Sequence, residues 1–144
     1  NYLNGFNTIV FNGDTYVKGN LQKLINFHFL SNSFISLTAS FKFLSSRYGK
    51  ISFKKNLLNK IDEKKLSFFS YVYSGIFIIN NNLINKCPLD THINVENFFF
   101  DSKKFKILIW KNNKSFLDIG TEASFIKASN FLNNLDFSKF KFDY

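Results

Sequence analysis

Residues 8–43 read TIVFNGDTYVKGNLQKLINFHFLSNSFISLTASFKF, and the fold class turns on this stretch. Thr8-Ile9-Val10-Phe11 is a β-branched and aromatic run that stops at the turn tripeptide Asn12-Gly13-Asp14, the pattern of a strand buried on both faces. Asn20 is then placed to cap a helix, because its side-chain oxygen can accept from a backbone N–H of the first turn. Leu21, Leu24, Ile25 and His28 follow at i, i+3, i+4 and i+7. Ser31-Asn32-Ser33 ends that helix. Residues 34–43 alternate, with Ile35, Leu37, Ala39, Phe41 and Phe43 on one side and Ser36, Thr38, Ser40 and Lys42 on the other. Strand, helix and strand in so short a span predict a βαβ unit with a right-handed crossover and a largely parallel sheet.

Outward from this unit the pattern changes. Lys50 to Phe53 and Leu57 to Ile61, around a turn at 54–56, predict a β-hairpin. Ser70 to Ile79 is a strand interrupted by Gly75, and Asn80-Asn81-Asn82 breaks it. Cys87-Pro88 excludes a long helix there. Residues 94–100 form one short amphipathic helix, Phe105 to Trp110 an alternating strand, and Ser115 to Ile119 another. Thr121 caps a last helix with Phe125, Ala128 and Leu132 turned inward. The expectation is one α/β domain over residues 1–135 with a mixed, mostly parallel sheet, flanking helices and a β-hairpin insertion. Residues 136–144 are a tail or an added edge strand.

Composition narrows the function classes. The chain has 144 residues, 45% of them hydrophobic and 21 of them Phe, so apolar surface for a core is ample. No apolar run approaches the roughly 18 residues of a membrane span, and no membrane partner is expected. The net charge of +9 invites a nucleic-acid reading, but among 19 basic residues only Arg47 is arginine, and the lysines are scattered singly or in pairs. Arginine supplies the fork suited to phosphates and base edges, so no nucleic-acid partner is expected. A lone cysteine, Cys87, excludes an internal disulfide and fits a reducing, cytoplasmic setting. With no Met in the chain, a missing N-terminal segment is expected.

Two aspartates stand in corresponding places, Asp14 after one strand and Asp118 at the end of another. In open α/β sheets ligands sit outside the carboxyl ends of strands, where two such carboxylates would make a hard oxygen site for Mg²⁺. Spacing alone leaves a second reading open, in which Asp14 caps a turn and Asp118 caps the last helix.

Five stretches in order carry a resemblance that favours the first reading: Asn12-Gly13-Asp14-Thr15, Arg47-Tyr48-Gly49, Glu63-Lys64, Ser74-Gly75-Ile76-Phe77, and Phe116-Leu117-Asp118-Ile119-Gly120-Thr121 with Phe125 and Ala128. Together they resemble the sugar-phosphate nucleotidyltransferases, and within them the guanylyltransferases that act on heptose or mannose 1-phosphate. The resemblance implies a Rossmann-like domain. It also implies Mg²⁺ held by Asp14 and Asp118, and Lys64 meeting the sugar phosphate. Tyr48, Gly49, Glu63, Ser74, Gly75 and Glu96 would be sugar-binding residues. The implied reaction joins a nucleoside triphosphate, GTP in this group, to a sugar 1-phosphate, giving a nucleotide-sugar for lipopolysaccharide or capsule and pyrophosphate. The family's Gly-rich phosphate loop has no counterpart, since the six glycines are isolated from one another. The chain is therefore expected to lack the N-terminal nucleotide-binding strand and helix. It is expected to pair with such a segment or with a second copy of itself. The alternative function is a non-catalytic sugar-phosphate-binding or split-subunit pairing module, inactive alone.

Overall fold

The computed structural model describes residues 6–45, 48–64, 67–87, 94–114 and 116–133. Its elements run β1 (Asn7–Phe11), β2 (Thr15–Val17), α1 (Leu21–Leu30), β3 (Ile35–Ser45), β4 (Gly49–Lys54), β5 (Leu57–Lys64), β6 (Ser67–Asn80), α2 (Asn81–Ile84), α3 (Val95–Phe99), β7 (Ile107–Asn112), β8 (Phe116–Asp118) and α4 (Glu122–Asn133). Five strands, in the order β6-β3-β7-β5-β4, close on themselves because β4 also pairs with β6. In this mixed barrel β3–β7 is parallel and the other ladders are antiparallel. β1 adds a further antiparallel strand to β6, and β2 with β8 forms a separate two-stranded ribbon.

This corrects the expected mostly parallel, Rossmann-like sheet with flanking helices. Strands dominate, and the hairpin β4–β5 supplies two staves of the barrel rather than an insertion. The reason lies in β6, which runs between β1 and β3 antiparallel to both. The first two long strands do point the same way, as a βαβ unit requires, but they never touch as neighbours. β1 is in consequence half-buried along its length with Phe11 56% exposed, not a strand covered on both faces.

Local signals were obeyed where the chemistry is local. Asn20 caps α1, accepting from the Lys23 N–H at 3.0 Å, and Leu24 and His28 are the buried residues of that helix. Lys55 and Asn56 take φ of 48° and 64°, the left-handed pair of a tight hairpin turn between β4 and β5. At α4, Thr121 and Ser124 exchange hydrogen bonds between hydroxyls and backbone N–H groups, and Ala128 is buried. Phe125, expected inward, is 59% exposed. The side chain of Leu132 and the tail at 136–144 lie outside the described residues.

The core draws on every stave: Ile35, Leu37 and Ala39 of β3, Ile51 of β4, Leu58 of β5, Phe77 and Ile79 of β6, and Ile107 and Ile109 of β7. Phe99, Phe100 and Leu83 pack against them from the helical side. The other face of β3, expected to be the polar one, is buried as well. Ser36, Thr38 and Ser40 are at most 1% exposed. Ser36 meets His28 Nδ1 at 2.9 Å, and His28 Nε2 meets Asn7 at 3.1 Å, so one buried imidazole joins α1, β3 and β1. Burial holds that imidazole below its ordinary pKa. Phe41 and Phe43, on the apolar parity, are by contrast more than half exposed.

The irregularity that shapes the molecule is in β6. Leu37 pairs with Phe77, but Ala39 pairs with Tyr73, so Thr38 alone faces Ser74, Gly75 and Ile76. Gly75 has φ of +88°, and a Cβ there would come within 2.9 Å of Thr15, so glycine is required twice over. Thr38 Oγ1 donates to the Ile76 carbonyl at 2.8 Å and accepts from the Ile76 N–H and the Ser74 hydroxyl. Beyond the bulge β6 pairs with β1, and before it with β4.

Candidate active site

At this bulge the chain after β1 turns away. The Asn12 N–H donates to the Gly75 carbonyl at 2.8 Å, the last rung of the β1–β6 ladder, and Asn12-Gly13-Asp14 then swings into β2. β2 pairs with β8 so that Thr15 stands opposite Asp118, and the Ile119 N–H donates to the Asp14 carbonyl at 2.9 Å. Asp14 and Asp118 are thus brought onto neighbouring positions of one ribbon. Thr15 Oγ1 donates to Asp14 Oδ1 at 3.0 Å, and the Gly120 N–H donates to Asp118 Oδ1 at 2.7 Å, which orients both carboxylates. Both carboxylates are thus held in local turns, and the cap of α4 is Thr121, not Asp118. The two aspartates also share a cavity.

That cavity measures about 810 Å³. Asn12, Asp14, Thr15, Gly75, Phe116 and Asp118 form one wall. Tyr48, Gly49, Ile61 and Asp62 line it from the β4–β5 side, and Tyr73, Glu96, Asn97, Phe100 and Asp101 from the side of α3. Of the residues singled out from sequence, Asp14, Asp118, Tyr48, Gly49, Gly75 and Glu96 therefore converge. Gly49 is closely approached: a Cβ would meet the Asp62 carbonyl at 2.9 Å. The Tyr48 ring packs edge-on to Phe116, with centroids 5.3 Å apart.

Three candidates stand differently. Ser74 is fully buried and donates its hydroxyl to Thr38, so it braces the bulge and is not among the lining residues. Lys64 stands opposite Gly49 at the end of the β4–β5 ladder, next to Glu63, but the side chains of Glu63 and Lys64 lie outside the described residues. Arg47 lies outside them too.

Sequence reasoning missed four groups. Tyr73 donates to Asn12 Oδ1 at 3.2 Å and packs on Phe100. Burial, then the charges of Glu96 and Asp14, push its phenol far above the usual value, so it is a neutral donor. Asp62 and Asp101 reach the cavity from strand and loop, each with a lysine partner, Lys60 at 2.8 Å and Lys104 at 3.4 Å. Lys42, on the face of β3 that carries the buried hydroxyls, donates to the Phe116 carbonyl at 3.2 Å. A lysine on a stripe of small hydroxylic residues was the one available signal. Cys87 is held apart from this chemistry, half-buried, with its thiol raised by burial.

Among the described residues no group of three or more His, Cys, Asp or Glu side chains could cage a metal by itself. The donor set at the ribbon is two carboxylates, oxygen only. That fits Mg²⁺, which keeps waters and draws further ligands from phosphates, and does not fit a soft-metal site.

The architecture has close counterparts among solved structures. HddC from Yersinia pseudotuberculosis is 24% identical, with a TM-score of 0.79 over 91% of this chain and 57% of that one. The same protein complexed with GMP-PN gives a TM-score of 0.78 at the same coverage. A Bacillus anthracis protein assigned as a glucose-1-phosphate thymidylyltransferase, in complex with sucrose, is 14% identical with a TM-score of 0.77. The fold is that of the sugar-phosphate nucleotidyltransferases. The chain spans 57% of the length of each of these structures. No family model matches the chain, and no curated protein does. The described residues present an acidic, aromatic-walled cavity. No helix among the described residues is long and apolar enough to cross a membrane.

Proposed function

We propose that this chain supplies the sugar-phosphate and metal side of a sugar-1-phosphate nucleotidyltransferase. The observation that carries the reading is that the β2–β8 ribbon brings both Asp14 and Asp118 into the lining of one cavity of about 810 Å³. The two carboxylates would hold Mg²⁺, which when bound neutralises phosphate charge and lines up the attacking and leaving oxygens. The chain's own part is positioning. Glu96, Asn97 and Tyr73 offer acceptors and donors for sugar hydroxyls, and Tyr48, Phe100 and Phe116 give apolar walls for a ring face. Gly49 and Gly75 line the cavity without a side chain of their own, and Lys64 is assigned to the sugar phosphate. In-line displacement at phosphorus requires orientation and charge neutralisation and no covalent nucleophile. Similarity to HddC, one structure of which is complexed with GMP-PN, supports a guanosine nucleotide, and the motif resemblance supports a heptose- or mannose-type sugar.

A specific observation favours a second reading, a sugar-phosphate-binding or pairing module inactive alone. Among the described residues the cavity lining contains five carboxylates and neither lysine nor arginine, an unwelcoming surface for a triphosphate. Calorimetry of the purified chain with mannose 1-phosphate and Mg²⁺ tests the shared part of both. Binding should require Mg²⁺ and weaken at least roughly tenfold in Asp14→Asn and in Asp118→Asn. Metal-independent binding, or binding unchanged in both variants, refutes the site. Pyrophosphate release with GTP, assayed with a Gly-rich nucleotide-binding segment of the family co-expressed, then separates the two readings: turnover identifies the enzyme and its absence the module.

A further inference from the structure

A second cavity, of about 300 Å³, opens between the start of β5 and the loop from α3 to β7. Lys103, Lys104 and Lys106 line it together with Leu57, Leu58, Ser102 and Phe105, and no carboxylate does so among the described residues. Lys54 and Lys55 stand just before Leu57, in the hairpin turn whose Asn56 carbonyl accepts from the Ile109 N–H at 2.7 Å. The lysine-bearing loop is built rather than slack. The Asp101 carbonyl accepts from the Lys104 and Phe105 N–H groups at 3.0 Å each, and Asp101 Oδ1 accepts from the Lys103 N–H at 2.9 Å. The Ser102 hydroxyl donates to the Asn59 carbonyl and so ties the loop to β5. Lys104 is taken up by Asp101 at 3.4 Å, whereas Lys103 and Lys106 make no ion pair among the described residues. The floor is apolar: Leu58 is buried, Leu57 is 43% exposed, and Phe105 packs on Phe99. Asp101 lines the acidic cavity, so one loop separates two cavities of opposite charge.

We infer that this second cavity is a ligand site of its own, for a phosphate monoester carried on a small apolar or aromatic body. Three ammonium groups around one opening suit a dianion better than a single carboxylate, and a phosphate monoester carries a charge of about −1.5 to −2 at neutral pH. Lysine meets such a group as a point charge, without the planar fork of arginine. Leu57, Leu58 and Phe105 offer the body of the ligand an apolar face to cover. The volume is that of a small-molecule site and not of a groove for an extended polyanion. The site is independent of the ribbon aspartates and of any divalent ion.

The test is a titration of the isotope-labelled chain with phenyl phosphate, followed by the backbone amide signals in NMR spectra, beside titrations with inorganic phosphate and with phenol. Mg²⁺ is left out, so the result stands apart from that of the metal site. Phenyl phosphate should move the signals of residues 102–106, Leu57 and Leu58 to saturation, at least about fivefold more tightly than inorganic phosphate. Phenol should leave them in place. The double variant Lys103→Gln with Lys106→Gln should weaken phenyl phosphate at least about tenfold. Leu57→Gln should reduce it to the level of inorganic phosphate. All three positions are exposed, and an unchanged melting temperature verifies that each variant is folded. The inference is overturned if these signals do not move, if they move equally tightly with inorganic phosphate, or if the lysine variant binds as the unaltered chain does. Shifts confined to the residues of the acidic cavity overturn it as well.

Discussion

Gly75 shows how much a single residue can carry. Its φ of +88° and the 2.9 Å approach of Thr15 leave no room for a side chain, and its carbonyl receives the Asn12 N–H that launches the Asp14 turn. Gly75→Ala should destabilise the fold by about 1–3 kcal/mol, read as a lower midpoint in urea. It should also weaken Mg²⁺ binding, because β2 must move. An unchanged midpoint would mean that the bulge is not built as described. At this scale the sequence was partly legible. Gly75 announced an interruption in a strand and Asp14 a turn, and both occur, whereas Asp118 holds the Gly120 N–H and Thr121 caps α4. That one ribbon carries both aspartates was not legible from spacing, because nothing in the local pattern around either aspartate encodes which distant strand β2 will pair with. Lys42 was passed over because it looked like one more polar residue on an exposed face. That face is covered, and a charge there is expensive unless it is used.

Among the elements, those decided by neighbouring residues were readable: α1 with its Asn20 cap, the β4–β5 hairpin, the short helix α3, and the strands other than β2. What failed was partnership. The alternation in residues 34–43 predicted one wet face, and the run at 8–11 predicted a doubly covered strand, yet β3 is the covered strand and β1 the half-exposed one. Both errors come from β6, whose place between them depends on contacts distant in the chain. The hairpin turn offers a direct check at this scale. Lys55 and Asn56 both hold left-handed φ, where a Lys is strained and Asn-Gly is the preferred pair. The double change Lys55→Asn with Asn56→Gly should therefore raise stability by about 1 kcal/mol, visible as a higher melting temperature with no change in Mg²⁺ affinity. A lower melting temperature would indicate that the Lys55 side chain does something the turn geometry does not reveal.

The molecule as a whole is held by a few residues that join separate elements, and His28 makes its stability depend on pH. Its ring bridges Ser36 and Asn7 while 2% exposed, and burial keeps it neutral. As pH falls below about 6.5 the unfolded chain takes up a proton that the folded chain resists. Stability should fall in that window by at most about 1.4 kcal/mol per pH unit from this residue, until the lowered folded value is passed. Denaturation midpoints between pH 7.5 and 5 should slope less in His28→Leu, measured against the unaltered chain. A parallel slope would remove His28 as the cause. The same dependence on distant joins governs how the barrel comes into being. β7 is the stave between β3 and β5, and it is the last of the five to be synthesised. A growing polypeptide thus carries β3 and β5 with unfilled edges until residues 107–112 have left the ribosome, and only then can the ring shut. Cells making this chain must shelter a nearly complete but still open precursor.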